Sequence, residues 1–360
     1  MTLRKQLKSQ VRARMAKTGE RYTTALAHLT GDAPVAGWTL RGGTDPDAAG
    51  LYAMLSAGGF TGLSEALLFG IGGGIGAGYI LWEFKHDNSR HVTLGFHNSW
   101  QYVGRRTTKV LDRLGVAGSW HRSAPRAAAE YLTSQLDAGN AVMLWPDRYH
   151  VGYWDLPSSL DGHGGHPVVA YAAAGSRVYL DDRNLAPLTV DRADLDRACA
   201  RVTSWKNMSL VITDSGRPLH VSSAVREGLR DVVAHLSAAS DSFSLPAWRK
   251  WSRMMTDTRA AKGWPQVFAD GRGLDLALRS VREGVDGRIG ITGGNLRPLF
   301  AEFLSQIGLG ELAPRWLEIA SMWHALGEMS SFADMGAQLA ALYEAETSAV
   351  RELAAAVERW

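Results

Sequence analysis

The segment from Asp161 to Arg183 constrains the fold of this chain more than any other. It opens with Asp161-Gly162-His163-Gly164-Gly165-His166-Pro167 and passes into the β-branched run Val168-Val169-Ala170-Tyr171. After a short turn it ends in Val178-Tyr179-Leu180-Asp181-Asp182-Arg183. Two apolar runs bounded by turn residues predict a hairpin. In an antiparallel pair the start of one strand faces the end of the next, so His166 is expected beside Asp182. A carboxylate there fixes the imidazole tautomer and stabilises its charged form. Such a pair is half of a catalytic apparatus, and what it acts on has to be sought elsewhere in the chain.

A chain of 360 residues is too long for one ordinary core, so two domains are expected. Apolar content of 46% and charged content of 21% are those of a soluble globular protein. A net charge of +3 without a block of Lys/Arg argues against nucleic acid as a partner. The basic N-terminus, MTLRKQLKSQVRARMAK, suits a solvated or partner-facing helix and lacks the apolar stretch of a secretory signal. Leu63 to Phe84 is the most apolar run, yet Glu65, Glu83 and many glycines interrupt it. Spanning a bilayer takes about 20 clean apolar residues, so this run reads as buried and no membrane role is expected. The single cysteine, Cys199, excludes an internal disulfide framework and fits a reducing cytoplasm.

Thr44-Asp45-Pro46-Asp47 is a strong helix start: Thr44 or Asp45 can cap, Pro46 suits the first turn, and Asp47 complements the dipole. The helix runs through Ala48–Leu55 until Gly58-Gly59 ends it. A second helix from Ser64 leads into Gly70–Gly78, followed by strands at Tyr79–Phe84 and His91–Phe96. Periodicity predicts helices at Arg105–Leu114 and Ala124–Ala138, a buried strand at Ala141–Trp145, a helix at Asp191–Arg201 and a last strand at Val211–Thr213. Asp214-Ser215-Gly216-Arg217-Pro218 reads as a linker, and beyond it the pattern is helical almost throughout. The expectation is an α+β domain over 1–214 and an all-α domain over 215–360.

Gly72-x-Gly74-x-x-Ala77 formally satisfies a relaxed dinucleotide fingerprint, but that motif needs a strand before it and a helix after. Here the order is reversed, so Gly73 and Gly74 mark close backbone approach to a neighbour or to a substrate. His150, His163 and His166 do not promise the three convergent ligands of a metal site, and no metal or cofactor is expected. Cys199 sits mid-helix rather than at the helix N-terminus that lowers a thiol pKa, so it reads as structural. The position suited to a nucleophile, Thr44-Asp45-Pro46-Asp47, holds carboxylates instead.

These motifs together resemble the family of butirosin-biosynthesis protein BtrH over nearly the whole length. The resemblance is carried by Leu63-Ser64-Glu65-Ala66, Phe69 through Gly76, His163-Gly164-Gly165-His166 with Val168-Val169, and Val178 through Arg183. Lys262-Gly263-Trp264-Pro265 and Thr292 through Arg297 carry it in the C-terminal domain. It implies a papain-like, cysteine-hydrolase-like N-terminal domain that moves an acyl chain from a carrier protein onto an amine. His166 and Asp182 match two positions of the implied triad. The third, a cysteine, falls near Thr44-Asp45-Pro46, where this chain has none, and aspartate is a poor substitute for a thiol.

Carboxylate and imidazole together can bind an amine and remove its proton. The first reading is therefore ring closure, in which a substrate amine displaces an adjacent group such as sulfate. Aziridine-forming enzymes of azinomycin-type pathways are a class the chain also resembles. The second is acyl transfer by direct attack of an amine on a carrier thioester, and the third is a non-catalytic scaffold. Asp45, His166 and Asp182 are the expected catalytic residues. Arg41, Asp47, Gly73, Gly74, His163 and Arg183 are expected to contact substrate. An acidic amino-group or acyl carrier protein is the implied partner, and completion of the site by a second subunit stays open.

Overall fold

The computed structural model describes residues 38–359 apart from 85–88, 98–101, 155, 157, 163, 164 and 287–295, with scattered residues before 38. The basic N-terminal segment, most of the Tyr22–Leu29 helical piece, and His163 lie outside the described residues. By contact the chain forms two compact units, one of residues 1–65 with 115–219 and one of 66–114 with 220–360. The third crossing, between residues 219 and 220, falls close to the expected linker. Residues 66–114, read from sequence as part of the N-terminal domain, instead group with the C-terminal helices. No described helix is long and apolar enough to cross a membrane.

The strands are β1 (Tyr79–Phe84), β2 (Ser89–Leu94), β3 (Gly118–His121), β4 (Val142–Leu144), β5 (Val168–Ala174), β6 (Arg177–Asp181), β7 (Leu188–Asp191) and β8 (Ser209–Ile212). The last six make one antiparallel sheet of order β3-β8-β4-β5-β6-β7 in the first unit. Together with the helices this is α+β. β5 and β6 are the expected hairpin: Ala174 pairs with Arg177 across Gly175, whose φ of 59° favours glycine. Val169 faces Asp181, which sets His166 at one end of β5 and Asp182 just past β6. β3 escapes sequence reading because it is a short edge strand, largely exposed, that needs no apolar alternation.

Period-two alternation sends the sheet's side chains to two faces. Val142, Leu144, Val168, Ala170, Val178 and Leu180 pack with Leu132 of helix Pro125–Asp137 and with Leu195 and Ala198 of helix Arg192–Arg201. The opposite face carries Met143 and Val169, against which helix Pro46–Ala57 lies. A Cβ on Gly50 would stand 2.7 Å from Met143 Cε and 3.2 Å from Val169 Cγ2, so the glycine lets this helix lie close on the strands.

In the second unit, β1 and β2 pair as a hairpin and the remainder is helical. Trp248, Trp251, Trp264, Trp316 and Trp323 are fully buried there. At its centre Arg297 and Glu346 form an ion pair at 2.9 Å, both side chains excluded from solvent. The Glu346 carboxylate also accepts from Trp323 Nε1 at 2.7 Å and Trp248 Nε1 at 3.2 Å, so its lone pairs are well satisfied. The glycine run threads this core. A Cβ at Gly70 would meet the Phe303 ring at 2.2 Å, and one at Gly76 the Phe96 backbone at 2.2 Å.

Candidate active site

The hairpin delivers its pair. His166 Nε2 lies 2.8 Å from Asp182 Oδ1, with side chains 3% and 2% exposed. The backbone N–H of His166 donates to Pro146 O at 3.1 Å, and the Trp154 ring stands edge-on to the imidazole at 5.7 Å. Burial holds the imidazole below its ordinary pKa, outweighing the opposing pull of Asp182; Arg148 and Arg183 push the same way as burial. Burial alone would raise Asp182, but His166, Arg183 and the Tyr153 hydroxyl together hold it low, at about 2. At neutral pH the pair is a carboxylate beside a neutral imidazole. With Nε2–H turned to Asp182, Nδ1 is the nitrogen able to accept a proton.

Asp45 is the N-cap of helix Pro46–Ala57, only 1% exposed, and Oδ1 accepts from Ala48 N at 2.8 Å. Glu65 braces the same turn: Oε1 accepts from Thr44 N at 2.7 Å and Asp45 N at 2.6 Å. Burial raises the Glu65 pKa, partly offset by those two backbone donors. Arg183 spans the site. One guanidinium nitrogen donates to Thr44 O at 2.9 Å, while the other lies 3.4 Å from both His166 Nε2 and Asp182 Oδ1. Arg183 adopts φ 59°, a left-handed backbone uncommon outside glycine, held by Asn184 Oδ1 accepting from Asp182 N at 2.7 Å. A single guanidinium thus ties the residue preceding Asp45 to the His–Asp pair.

Residues 46–183 match the family described as Butirosin biosynthesis protein H, N-terminal. That stretch is similar to the N-terminal domain of the family. No curated protein matches the chain. The matched interval ends on Arg183 and takes in His166 and Asp182, while Asp45 immediately precedes its first residue. No cysteine occurs within the matched interval. Cys199 lies beyond it in helix Arg192–Arg201, and burial pushes its thiol up to about 12, removing it as a nucleophile at neutral pH.

The remaining expected residues spread more widely. Arg41 is exposed, with Cζ 5.4 Å over the Tyr52 ring. Asp47 sits half-buried in the first helical turn. Gly73 and Gly74 belong to the second unit with φ of 103° and 62°, and a Cβ on Gly74 would meet the Phe300 ring at 3.0 Å. That close approach is to a neighbouring side chain. His150 bonds Asp161 at 2.8 Å, so His150 and His166 serve different carboxylates. Asp147, His150 and Asp161 offer ligand atoms within 4.8 Å of one another. Asp147, however, already accepts from Gly162 N and Tyr149 N, and Asp161 is paired with Arg201.

Sequence reading missed four residues of the candidate site: Glu65, Arg148, Tyr153 and Trp154. Arg148 is buried, its Cζ 5.5 Å over the Trp154 ring, and burial lowers its pKa to about 10 against the pull of Asp182. Arg148, Tyr153 and Trp154 sit in no motif, and only Glu65, a carboxylate in the otherwise apolar Leu63–Phe84 run and within a stretch that carries the family resemblance, left a signal.

Proposed function

We propose that this chain is a natural-product biosynthetic enzyme in which Asp45, His166 and Asp182 activate a substrate amine without a covalent enzyme intermediate. The carrying observation is the occupant of the helix cap. A buried carboxylate stands where the resemblance calls for a thiol, and Arg183 links the backbone carbonyl of Thr44, the residue before it, to the Asp182 carboxylate that faces His166. A papain-like plan is supported by a helix N-terminus, a histidine opening β5 and an acid closing β6.

The reaction we propose is intramolecular displacement giving an aziridine-type ring. Asp45 accepts a hydrogen bond from the amine and orients its lone pair toward the adjacent carbon. As the C–N bond forms, the C–O bond to the leaving group breaks, and that group departs with the bonding pair as an anion such as sulfate. The nitrogen becomes acidic and passes its proton to His166 Nδ1, while Asp182 offsets the charge on the imidazolium. An acidic amino-group carrier holding the substrate is the proposed partner.

The BtrH-type domain favours a second reading, amine attack on an acyl-carrier thioester, with His166 again taking the amine proton and the carrier thiolate leaving. The test supplies carrier-tethered amine bearing an adjacent sulfate ester and, separately, carrier thioester with free amine. Sulfate release lost in Asp45→Asn and His166→Ala supports ring closure. Thiol release lost in the same variants supports acyl transfer. An acyl group trapped on this chain, seen by intact mass, overturns both.

A further inference from the structure

We infer that Tyr153 is a positioning residue of this site: by donating to the second oxygen of Asp182, it fixes how that carboxylate is presented to His166. The inference rests on the reading of His166 and Asp182 as the proton-accepting pair. The geometry divides the carboxylate between two donors. Oδ1 receives His166 Nε2 at 2.8 Å and Oδ2 receives Tyr153 Oη at 2.9 Å. Rotation of the carboxylate about its own bond breaks both contacts, so the hydroxyl locks the oxygen that faces the imidazole.

Tyr153 is itself held. It is 2% exposed and packs in the core cluster with Val168, Ala170, Val178 and Leu180. The loop that carries it is anchored by Asp147, whose oxygens accept from Tyr149 N at 3.1 Å and Gly162 N at 2.6 Å. Its backbone N–H donates to Ala198 O at 2.9 Å, and Asp147 bridges Gly165, the residue before His166. One loop thus supports both the histidine and the tyrosine that faces its partner.

A buried tyrosine needs some acceptor, and a purely structural role would be met by any carbonyl. Choosing this carboxylate has an electrostatic consequence. The positive end of the O–H dipole stabilises the Asp182 anion and weakens its pull on a proton at His166. Burial and the Asp182 charge push the Tyr153 hydroxyl well above its usual range, so it remains a donor. The groups facing Asp182 are His166, Tyr153, Arg148 and Arg183, with Asp181 adjacent in the chain.

The test is Tyr153→Phe, which keeps the ring and removes the hydroxyl, read by nitrogen NMR of the His166 imidazole in the full chain. The expected result is an upward shift of the His166 midpoint by about half a unit to one unit. The acid limb of the pH–rate profile moves the same way, with kcat lowered and KM little changed. A folded variant with an unmoved midpoint overturns the inference. If Tyr153→Phe does not fold, 3-fluorotyrosine placed at 153 has a more acidic hydroxyl and should shift the midpoint down; no shift overturns the inference equally. His166→Ala separates the two readings. Turnover surviving in that variant removes the proposed base, whereas turnover lost there beside an unmoved midpoint in Tyr153→Phe removes only the role of Tyr153.

Discussion

Acid should weaken the first unit through His166, and the size of the effect follows from its burial. The folded-state pKa is held at about 4, whereas the ordinary value is 6.5. Between those values the unfolded chain binds a proton that the folded chain does not, so stability rises with pH across this window. The contribution is complete above pH 6.5 and falls away as the pH drops toward 4. The linkage integral from pH 7.5 to 4.5 amounts to about 2–3 kcal/mol. Native-state hydrogen exchange of β5 and β6 amides reads the unit containing His166, and should be followed across this range in wild type and in His166→Gln. Titrating groups remote from the pair, including the half-buried His235, remain in both proteins and cancel in the difference. The wild type should lose about 2–3 kcal/mol more than the variant on acidification. Equal losses would refute the neutral, buried histidine. A wild type that gains relative to the variant between pH 5 and 7 would show that the imidazolium–carboxylate pair outweighs burial.

Further outcomes follow from other parts of the structure. Gly43→Ala should destabilise the Asp45 turn by about 1–3 kcal/mol or more, read by thermal unfolding, because φ is 148° and a Cβ would lie 2.5 Å from that of Ala49. Arg297→Ala should cost about 3–5 kcal/mol in urea unfolding by leaving Glu346 buried and uncompensated, while Arg297→Met with Glu346→Leu should recover much of that loss. Cys199→Ser should leave turnover unchanged, and iodoacetamide should not inactivate the folded protein at pH 7, since the thiol is held near pKa 12.

Local chemistry made much of the site legible. Thr44-Asp45-Pro46 announced a capped helix, and Asp45 does cap it, because a side-chain acceptor two or three residues before an unpaired N–H is a purely local device. The two apolar runs around Gly175 required a hairpin, and antiparallel register then placed Asp182 against His166. The reversed order of helix, glycines and strand excluded a dinucleotide loop, and Gly70 and Gly76 do serve close packing.

Tertiary structure alone decided the rest. Glu65 reaches back 20 residues to Asp45 N, and Tyr153 reaches forward 29 to Asp182. Such contacts depend on how loops close over a packed sheet, and no periodicity in the chain encodes them. Residues 66–114 follow the N-terminal helix in sequence yet group with the C-terminal helices, because their apolar faces find complementary surfaces such as Phe300 and Phe303 there. The protonation of the site is tertiary too. His166 by composition is an ordinary imidazole; its neutrality comes from burial beside Arg148 and Arg183, which the fold brings to one place. The sequence by itself determined the helix cap and the His–Asp register, because each depends on neighbours along a turn or a strand pair. Burial, and with it the charge state of His166, depends on the whole packed unit.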